Sequence, residues 1–228
     1  HFSVIQNSGT IIYKVFIDKQ GWVWLGCHEK GLYAVDPADG KIIQHYTGGK
    51  SNREIYNFSV FDIEQLDEHT ICCASDALNI INKKDQTVEQ VSMQQGLPSN
   101  TAKRVQLDLD GYLWIVTSNG LCRYDHRKRR FTPYGNKDGI LNIELSDAAD
   151  YLNNEGYMMY GVKDQLSVFQ PSIFYYNEPP PDVVITDFKI FNTYFPVDSL
   201  QRLTQIKLEP DQNSVSFYFS ALSFKQAD

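Results

Sequence analysis

The sequence has few residues suited to thiol or metal chemistry. Its 228 residues include four cysteines, and no two of them form a Cys-x-x-Cys pair. Cys72 and Cys73 are adjacent, so on a strand their side chains point to opposite faces. The five histidines also lack the spacing of metal ligands. We therefore expect buried thiols, no metal, no cofactor and no catalytic residue, and cysteine usage leaves the cellular compartment open.

Other absences bear on partners. The net charge is −7, with 28 acidic and 21 basic residues, so no basic face is expected for a phosphate backbone, which argues against nucleic acid as a partner. The chain has no apolar run near the length of a membrane helix, no starting methionine and no signal peptide. We expect it to be a piece of a longer protein.

The sequence does contain one pattern twice. Residues 15–26 and 105–116 each carry Asp, Gly and Trp at the same spacing, and each continues into Gly-Leu and then Asp. The copies start 90 residues apart, and a degenerate copy between them gives a period of about 45, which is typical of propeller blades. The repeated residues are Asp18, Gly21, Trp24 and Asp36, then Asp108, Gly111, Trp114 and Asp125.

Each repeated residue has a physical role in a blade. Gly supplies positive φ at a two-residue hairpin turn, Asp bonds its own backbone at turns, and Trp fills the space between neighbouring sheets. The clearest copy predicts strands at 102–108, 113–117, 121–125 and 130–134. A weaker copy without the Gly and Trp predicts strands at 56–63, 70–74, 78–82 and 87–92. A fourth copy, with Tyr160 where the Trp would stand, predicts strands at 147–152, 157–162 and 166–169.

The predicted fold is therefore all-β, with about four propeller blades over residues 1–176. Residues 177–182 contain three successive prolines and predict a stiff linker. Residues 183–228 predict the first strands of an immunoglobulin-like β-sandwich, at 183–191, 205–208 and 214–220, too few to close a sandwich of about seven strands.

The repeat resembles that of the two-component-regulator propellers. The matching segments are Gly96-Leu97-Pro98-Ser99-Asn100-Thr101, the run from Asp108 to Ile115, Ser118-Asn119-Gly120-Leu121 and Arg123-Tyr124-Asp125. Residues 181–192 and 212–222 are similar to the opening strands of the Tyr-rich juxtamembrane sandwich of the same family. These proteins form the periplasmic sensors of hybrid two-component systems that respond to polysaccharide breakdown products.

The resemblance implies the last blades of a seven-bladed propeller and the start of a sandwich that leads to the membrane. It implies a ligand-sensing and signal-transmitting segment that responds to an oligosaccharide, in the periplasmic part of an inner-membrane protein that works as a homodimer. Histidine kinase activity would belong to other parts of the full-length protein, and this segment would not be an enzyme.

Blade geometry indicates which face could bind the ligand. The turn between the second and third strands and the loop that enters the first strand emerge on one face, where polar and aromatic residues suit sugar hydroxyls and rings. Arg104, on an innermost strand, could point into the channel. The other candidate ligand-binding residues are His28, Glu29, Arg53, Tyr56, Asn57, Asn100 and Asn119.

Three alternatives stay open. The segment could be a structural or protein-interaction propeller without a small ligand, or a propeller-type glycan hydrolase or lyase. It could also transmit a signal mechanically while the ligand binds elsewhere in the sensor. In that case alanine at His28, Arg53 or Tyr56 leaves the ligand affinity unchanged.

Overall fold

The tandem repeat folds as a series of small antiparallel sheets built from consecutive strands. The computed structural model describes residues 9–135, 138–140, 150–162, 165–174, 183–191, 193–195 and 205–221. The chain divides into two units, residues 1–174 and 175–228. Every named sheet is antiparallel, so the all-β prediction is confirmed. Within the described ranges, no helix has the length and apolar character needed to cross a membrane.

The first unit contains four sheets whose strands follow chain order. Blade 1 comprises β1 (Ile12–Ile17), β2 (Val23–Cys27), β3 (Gly31–Val35) and β4 (Ile42–Tyr46). Blade 2 comprises β5 (Asp62–Gln65), β6 (Thr70–Ala74), β7 (Leu78–Asn82) and β8 (Thr87–Val91). Blade 3 comprises β9 (Ala102–Leu107), β10 (Leu113–Thr117), β11 (Gly120–Asp125) and β12 (Arg130–Tyr134). Blade 4 comprises β13 (Asp150–Leu152), β14 (Met158–Val162) and β15 (Gln165–Phe169).

The repeated glycine lies in the first hairpin of the blade, as predicted. Gly111 has φ +83° and Gly21 has φ +87°. The two-residue turn is wrong, however, because the Asp108 amide donates to the Tyr112 carbonyl at 2.9 Å and leaves three residues in the loop. A tight turn followed by a left-handed glycine is the usual geometry of such a loop. Each glycine supplies the left-handed residue that this three-residue loop requires.

The blades pack through three apolar clusters of buried side chains. Trp24 lies in the cluster between blades 1 and 2, and Trp114 in the cluster between blades 3 and 4. Both indoles are fully buried, which confirms their predicted packing role. All four repeated aspartates bond backbone amides of their own turns, which confirms that prediction too.

The predicted strand at 56–63 is mostly wrong, because β5 begins at Asp62. The backbone amides of Tyr56 and Asn57 donate to the side chains of Asn79 and Ser75 instead of to a neighbouring strand. Asn57 also accepts a bond from the next amide, at 2.7 Å. These bonds hold residues 56–61 as a loop above blade 2.

Tyr160 does not stand in the position of the repeated Trp. Leu152 pairs with Met158 as Leu107 pairs with Leu113, so Met159 is the equivalent of Trp114 and Tyr160 lies one residue further. The Tyr160 ring is buried beside Trp114 in the cluster between blades 3 and 4. The part of the predicted strand at residues 147–149 lies outside the described residues.

The second unit contains one three-stranded antiparallel sheet in its described part. β16 (Val183–Ile190) lies between β17 (Thr193–Phe195) and β18 (Val215–Ala221). The predicted strand at 205–208 is wrong, because these residues form no strand and the sheet is made of β17, β16 and β18. Phe188 is buried at the centre of this sheet. The predicted linker at 177–182 lies outside the described residues.

Candidate functional site

In each of blades 1, 2 and 3, one residue occupies the same position near the start of the innermost strand. These strands end at Ile17, Gln65 and Leu107, and each of these residues pairs across the first hairpin of its blade. The residues four positions before the three ends are Tyr13, Phe61 and Lys103. Because successive innermost strands are neighbours, the Phe61 side chain contacts both Tyr13 and Lys103.

Phe61 contacts both Tyr13 and Lys103, and these two side chains also contact residues in neighbouring turns. The Tyr13 and Phe61 ring centroids are 5.5 Å apart, and the Lys103 ammonium lies 3.6 Å from the Phe61 centroid. The same ammonium is 3.8 Å from the Asp76 carboxylate. Tyr13 as a residue remains 44% exposed. We call these residues, together with His28, Glu29 and Asn57, the inner-strand patch.

His28 and Asn57 contribute positioned polar groups to the inner-strand patch. His28 Nδ1 lies 3.0 Å from the Tyr13 hydroxyl, and its Nε2 lies 3.6 Å from the Glu29 carboxylate. The Asn57 side-chain amide donates to the Asp76 carboxylate. The patch therefore presents an exposed ring beside an imidazole, two carboxylates and an ammonium group.

Below the patch, charged side chains link the innermost strands from blade to blade. Lys14 pairs with Asp62 at 2.6 Å, and Arg104 pairs with Asp150 at 3.5 Å. Asp62 also accepts a bond from the backbone amide of Val105, at 3.0 Å. Burial acts to lower the pKa of Lys14, but Asp62 outweighs it and the net shift is upward. Burial, and then the charge of Asp150, raises the pKa of Asp62. We call Lys14, Asp62, Arg104 and Asp150 the charge row.

A separate cleft of about 500 Å³ lies between the loop that follows β4 and the loop that follows β8. Its lining is mostly amide and hydroxyl groups, with one aromatic ring, one thioether and one ammonium group. The lining residues are Lys50, Tyr56, Gln90, Ser92, Met93, Gln94, Gln95 and Asn100. Its volume is in the range of small-molecule sites, about 300–1,000 Å³.

The structure distributes the predicted site residues over these features. Tyr56 and Asn100 line the cleft, whereas His28, Glu29 and Asn57 lie in the inner-strand patch and Arg104 in the charge row. Asn119 donates to the Pro98 carbonyl at 2.8 Å and so ties two loops together. Arg53 is exposed, and its backbone amide donates to Ser51 Oγ at 3.4 Å.

Sequence reasoning missed several residues of both features. Tyr13, Phe61 and Lys103 occupy equivalent repeat positions, so a blade-by-blade alignment of innermost strands would have found them. The glutamines and Lys50 of the cleft stand outside the repeat pattern. Gln90 lies on β8 and the others lie in the loops that follow β4 and β8, and no spacing rule marks them.

The described residues offer no metal site, since no three His, Cys, Asp or Glu side chains among them are placed to hold an ion. All four cysteines are free and buried. Burial raises the pKa of the Cys73 and Cys122 thiols to about 12. These thiols are therefore held in their neutral form at physiological pH.

Comparison with known proteins gives one curated relative and several structures. Histidine kinase P4 from Formosa agariphila is 26% identical over 194 residues, which cover 83% of this chain and 14% of that protein. The chain thus spans only a small part of the relative's length. No family model matches the chain.

The similar structures include two extracellular domains and one WD40 propeller. The extracellular domain of the hybrid two-component system BT3049 from B. thetaiotaomicron aligns with a TM-score of 0.59 and 19% identity, over 96% of this chain and 37% of that one. The extracellular domain of the one-component system BT4673 from the same organism also aligns with a TM-score of 0.59, at 14% identity, over 71% of this chain and 23% of that one. The WD40 β-propeller domain of Doa1 aligns with a TM-score of 0.53 and 9% identity, over 70% of this chain and 51% of that one.

These likenesses confirm the β-propeller fold and the resemblance to sensor regions of two-component systems.

Proposed function

We propose that this segment senses an oligosaccharide outside the cytoplasm and passes the signal on within a membrane-bound two-component sensor. The resemblance to extracellular sensor domains supports the sensing role, and the inner-strand patch supports the saccharide. Sugar rings stack on exposed aromatic faces, and their hydroxyls pair with carboxylate, amide and imidazole groups.

The exposed Tyr13 ring carries this proposal. The Tyr13 residue is 44% exposed although its ring contacts Phe61. His28 and the Asn57–Asp76 pair provide hydrogen-bonding groups within the same patch. The ring is held in place before any ligand arrives, because the His28 imidazole bonds its hydroxyl and Phe61 packs beside it. A site that is already ordered loses little entropy on binding.

The remaining parts of the proposal rest on the resemblance. The full-length protein is then attached to the inner membrane, with this segment in the periplasm, and it signals as a homodimer with histidine kinase activity in other parts of the chain. The segment itself has no proposed catalytic role.

A second candidate is transmission without binding, and the charge row supports it. Lys14 and Asp62 join blade 1 to blade 2, and Arg104 and Asp150 join blade 3 to blade 4. The Asp62 bond to the Val105 amide joins blades 2 and 3. These bonds would therefore transmit a displacement of one innermost strand to the next.

The two candidates differ in a thermal melt of this chain against a panel of oligosaccharides. A saccharide that binds only the folded state stabilises it by about 2.7 kcal/mol when present at about 100 times its Kd. We expect one class of saccharide to raise the Tm, and Tyr13→Ala to remove most of that rise.

Tyr151→Ala is the matched control, because Tyr151 is another exposed tyrosine on an innermost strand but lies in blade 4. It should leave the saccharide-dependent rise intact. A cooperative melt that no saccharide shifts would remove the binding proposal and favour transmission. An equal loss in both variants would show that the patch is not the site.

A further inference from the structure

The cleft beside blade 2 has a lining that is already hydrogen-bonded into place. Gln90 Nε2 donates to the carbonyls of Gly49 and Glu54, at 2.8 and 2.9 Å. Gln95 Oε1 accepts from the backbone amide and hydroxyl of Ser92, at 2.9 and 2.8 Å. These bonds fix the orientation of both side-chain amides.

Asn100 is oriented in the same way, since its Oδ1 accepts from the Met93 amide at 2.9 Å. The Nδ2 group of Asn100 and the Nε2 group of Gln95 are then the ends left to donate, while the Oε1 of Gln90 is left to accept. Amide donors and acceptors with fixed orientations, in a cleft that Tyr56 also lines, can pair with the hydroxyls of a sugar chain.

The charge of the cleft selects among sugars. Lys50 carries the one charge at neutral pH among the described residues that line it. The carboxylate of Glu54, on the same loop, accepts a hydrogen bond from the Ser51 amide at 2.9 Å. This bond and a further one from the Lys50 amide lower the pKa of Glu54. Glu54 therefore keeps its negative charge, but it binds the loop backbone and does not line the cleft. Among the residues that line the cleft, the charge that an anionic group meets is the Lys50 ammonium.

We propose that the cleft is a second saccharide site, distinct from the inner-strand patch, and that it takes a sugar chain bearing a carboxylate. The inference rests on the proposed function in taking the ligand to be a saccharide. The loop before β5 separates the two sites, because Tyr56 lines the cleft while Asn57 bonds Asp76 in the patch.

The chain's three methionines provide the test. Met93 lines the cleft and is half exposed, whereas Met158 and Met159 lie on β14 in blade 4. With the methionine methyl groups labelled with ¹³C and Met93 assigned by Met93→Leu, we would titrate a β-1,4-linked mannuronic acid trisaccharide and then neutral β-1,4-mannotriose. We expect the Met93 signal to move with both sugars, at lower concentration for the acid, while the two blade 4 signals stay in place.

Lysine variants test the contribution of the Lys50 charge separately from the existence of the site. Lys50→Gln should weaken the acidic trisaccharide about threefold to fivefold, the size expected for an exposed ion pair, and leave mannotriose unchanged. Lys50→Arg should retain the preference for the acid. Lys84→Gln is the matched control, because Lys84 is an exposed lysine in the turn between β7 and β8.

The inference fails if the Met93 signal moves with neither sugar up to the millimolar range, or if the acid binds no better than mannotriose. Either result leaves the proposed function intact, because the thermal melts test that function separately. Tyr13→Ala distinguishes the sites further. If that variant abolishes the Met93 response, the cleft is not separate from the patch, and the inference is overturned.

Discussion

The Trp114 indole donates to the Asp108 carboxylate at 2.7 Å, inside the cluster between blades 3 and 4. The other oxygen of Asp108 accepts the amides of Asp110 and Tyr112 in the hairpin turn. Blade 1 repeats the arrangement, with 3.0 Å between the Trp24 indole nitrogen and the Asp18 carboxylate. The repeated aspartate therefore joins the turn to the core.

Blade 4 shows what happens when the indole is missing. Asn153 bonds the amides of Glu155 and Tyr157 just as Asp108 bonds its own turn, at 3.0 and 2.8 Å. Met159 stands in the Trp position and needs no acceptor. An amide suffices for the turn, but a carboxylate is required where an indole must also be satisfied.

Asp108→Asn should therefore destabilise the protein, because its amide group would face the buried Trp114 N–H. We expect a loss of about 1–3 kcal/mol in the free energy of unfolding, measured by urea denaturation. Asp36→Asn is the control, since Asp36 bonds the Ala38 amide of an exposed turn, and it should cost less than about 0.5 kcal/mol. Equal losses in both variants would contradict the role of the indole.

The contributions of two carboxylates to stability, one buried (Asp18) and one half-buried (Glu64), should change in opposite directions on acidification. Burial acts to raise the pKa of Asp18, but the bonds from the Trp24 indole and the Lys83 ammonium outweigh it, so the net shift is downward. Its stabilising contribution is present above the usual value of 3.8 and is lost as the pH falls through the lowered folded pKa. Burial raises the pKa of Glu64, so its ionised form costs stability at neutral pH and the cost disappears on acidification.

We therefore expect Asp18→Asn to gain stability relative to wild type as the pH is lowered from about 7 to about 3. Glu64→Gln should lose stability relative to wild type over the same interval. Urea midpoints at a series of pH values would measure both trends. Parallel trends would show that one of the two pKa shifts has the wrong sign.

Equivalent leucines in blades 3 and 4 should differ in their contribution to stability. Leu121 is 1% exposed between the two blades, whereas Leu166 is 64% exposed on the far side of blade 4. Their registers are the same, since Leu121 pairs with Val116 and Leu166 with Gly161. Leu121→Ala should cost about 2–5 kcal/mol, and Leu166→Ala less than about 0.5 kcal/mol. A large cost for Leu166→Ala, dependent on protein concentration, would mean that self-association covers this face.

The four thiols should be unreactive while the protein is folded. All are buried, and burial raises the pKa of each, with values of about 12 for Cys73 and Cys122. Ellman's reagent at pH 8 should find no reactive thiol in the native protein and four in concentrated guanidinium chloride. One rapidly reacting thiol in buffer alone would contradict the packing around it.

The sequence by itself determined what depends on short-range chemistry. The spacing of Asp, Gly and Trp predicted the blades, because each hairpin is closed by residues close together in the chain. The strands of blade 3 were predicted to within one residue at each end. Burial of the indoles and the backbone bonds of the turn aspartates followed from the same local reasoning.

Only the tertiary structure decided which side chains meet between blades. Lys14 and Asp62, like Asp62 and Val105, are more than 40 residues apart in the chain and join only when innermost strands become neighbours. The loop at 56–61 could not be foreseen, because acceptors on Asn79 and Ser75 replace the strand partner that its alternating pattern predicts. The cleft and the inner-strand patch both depend on such contacts, so the sequence indicated a face, and packing decided which of its residues form a site.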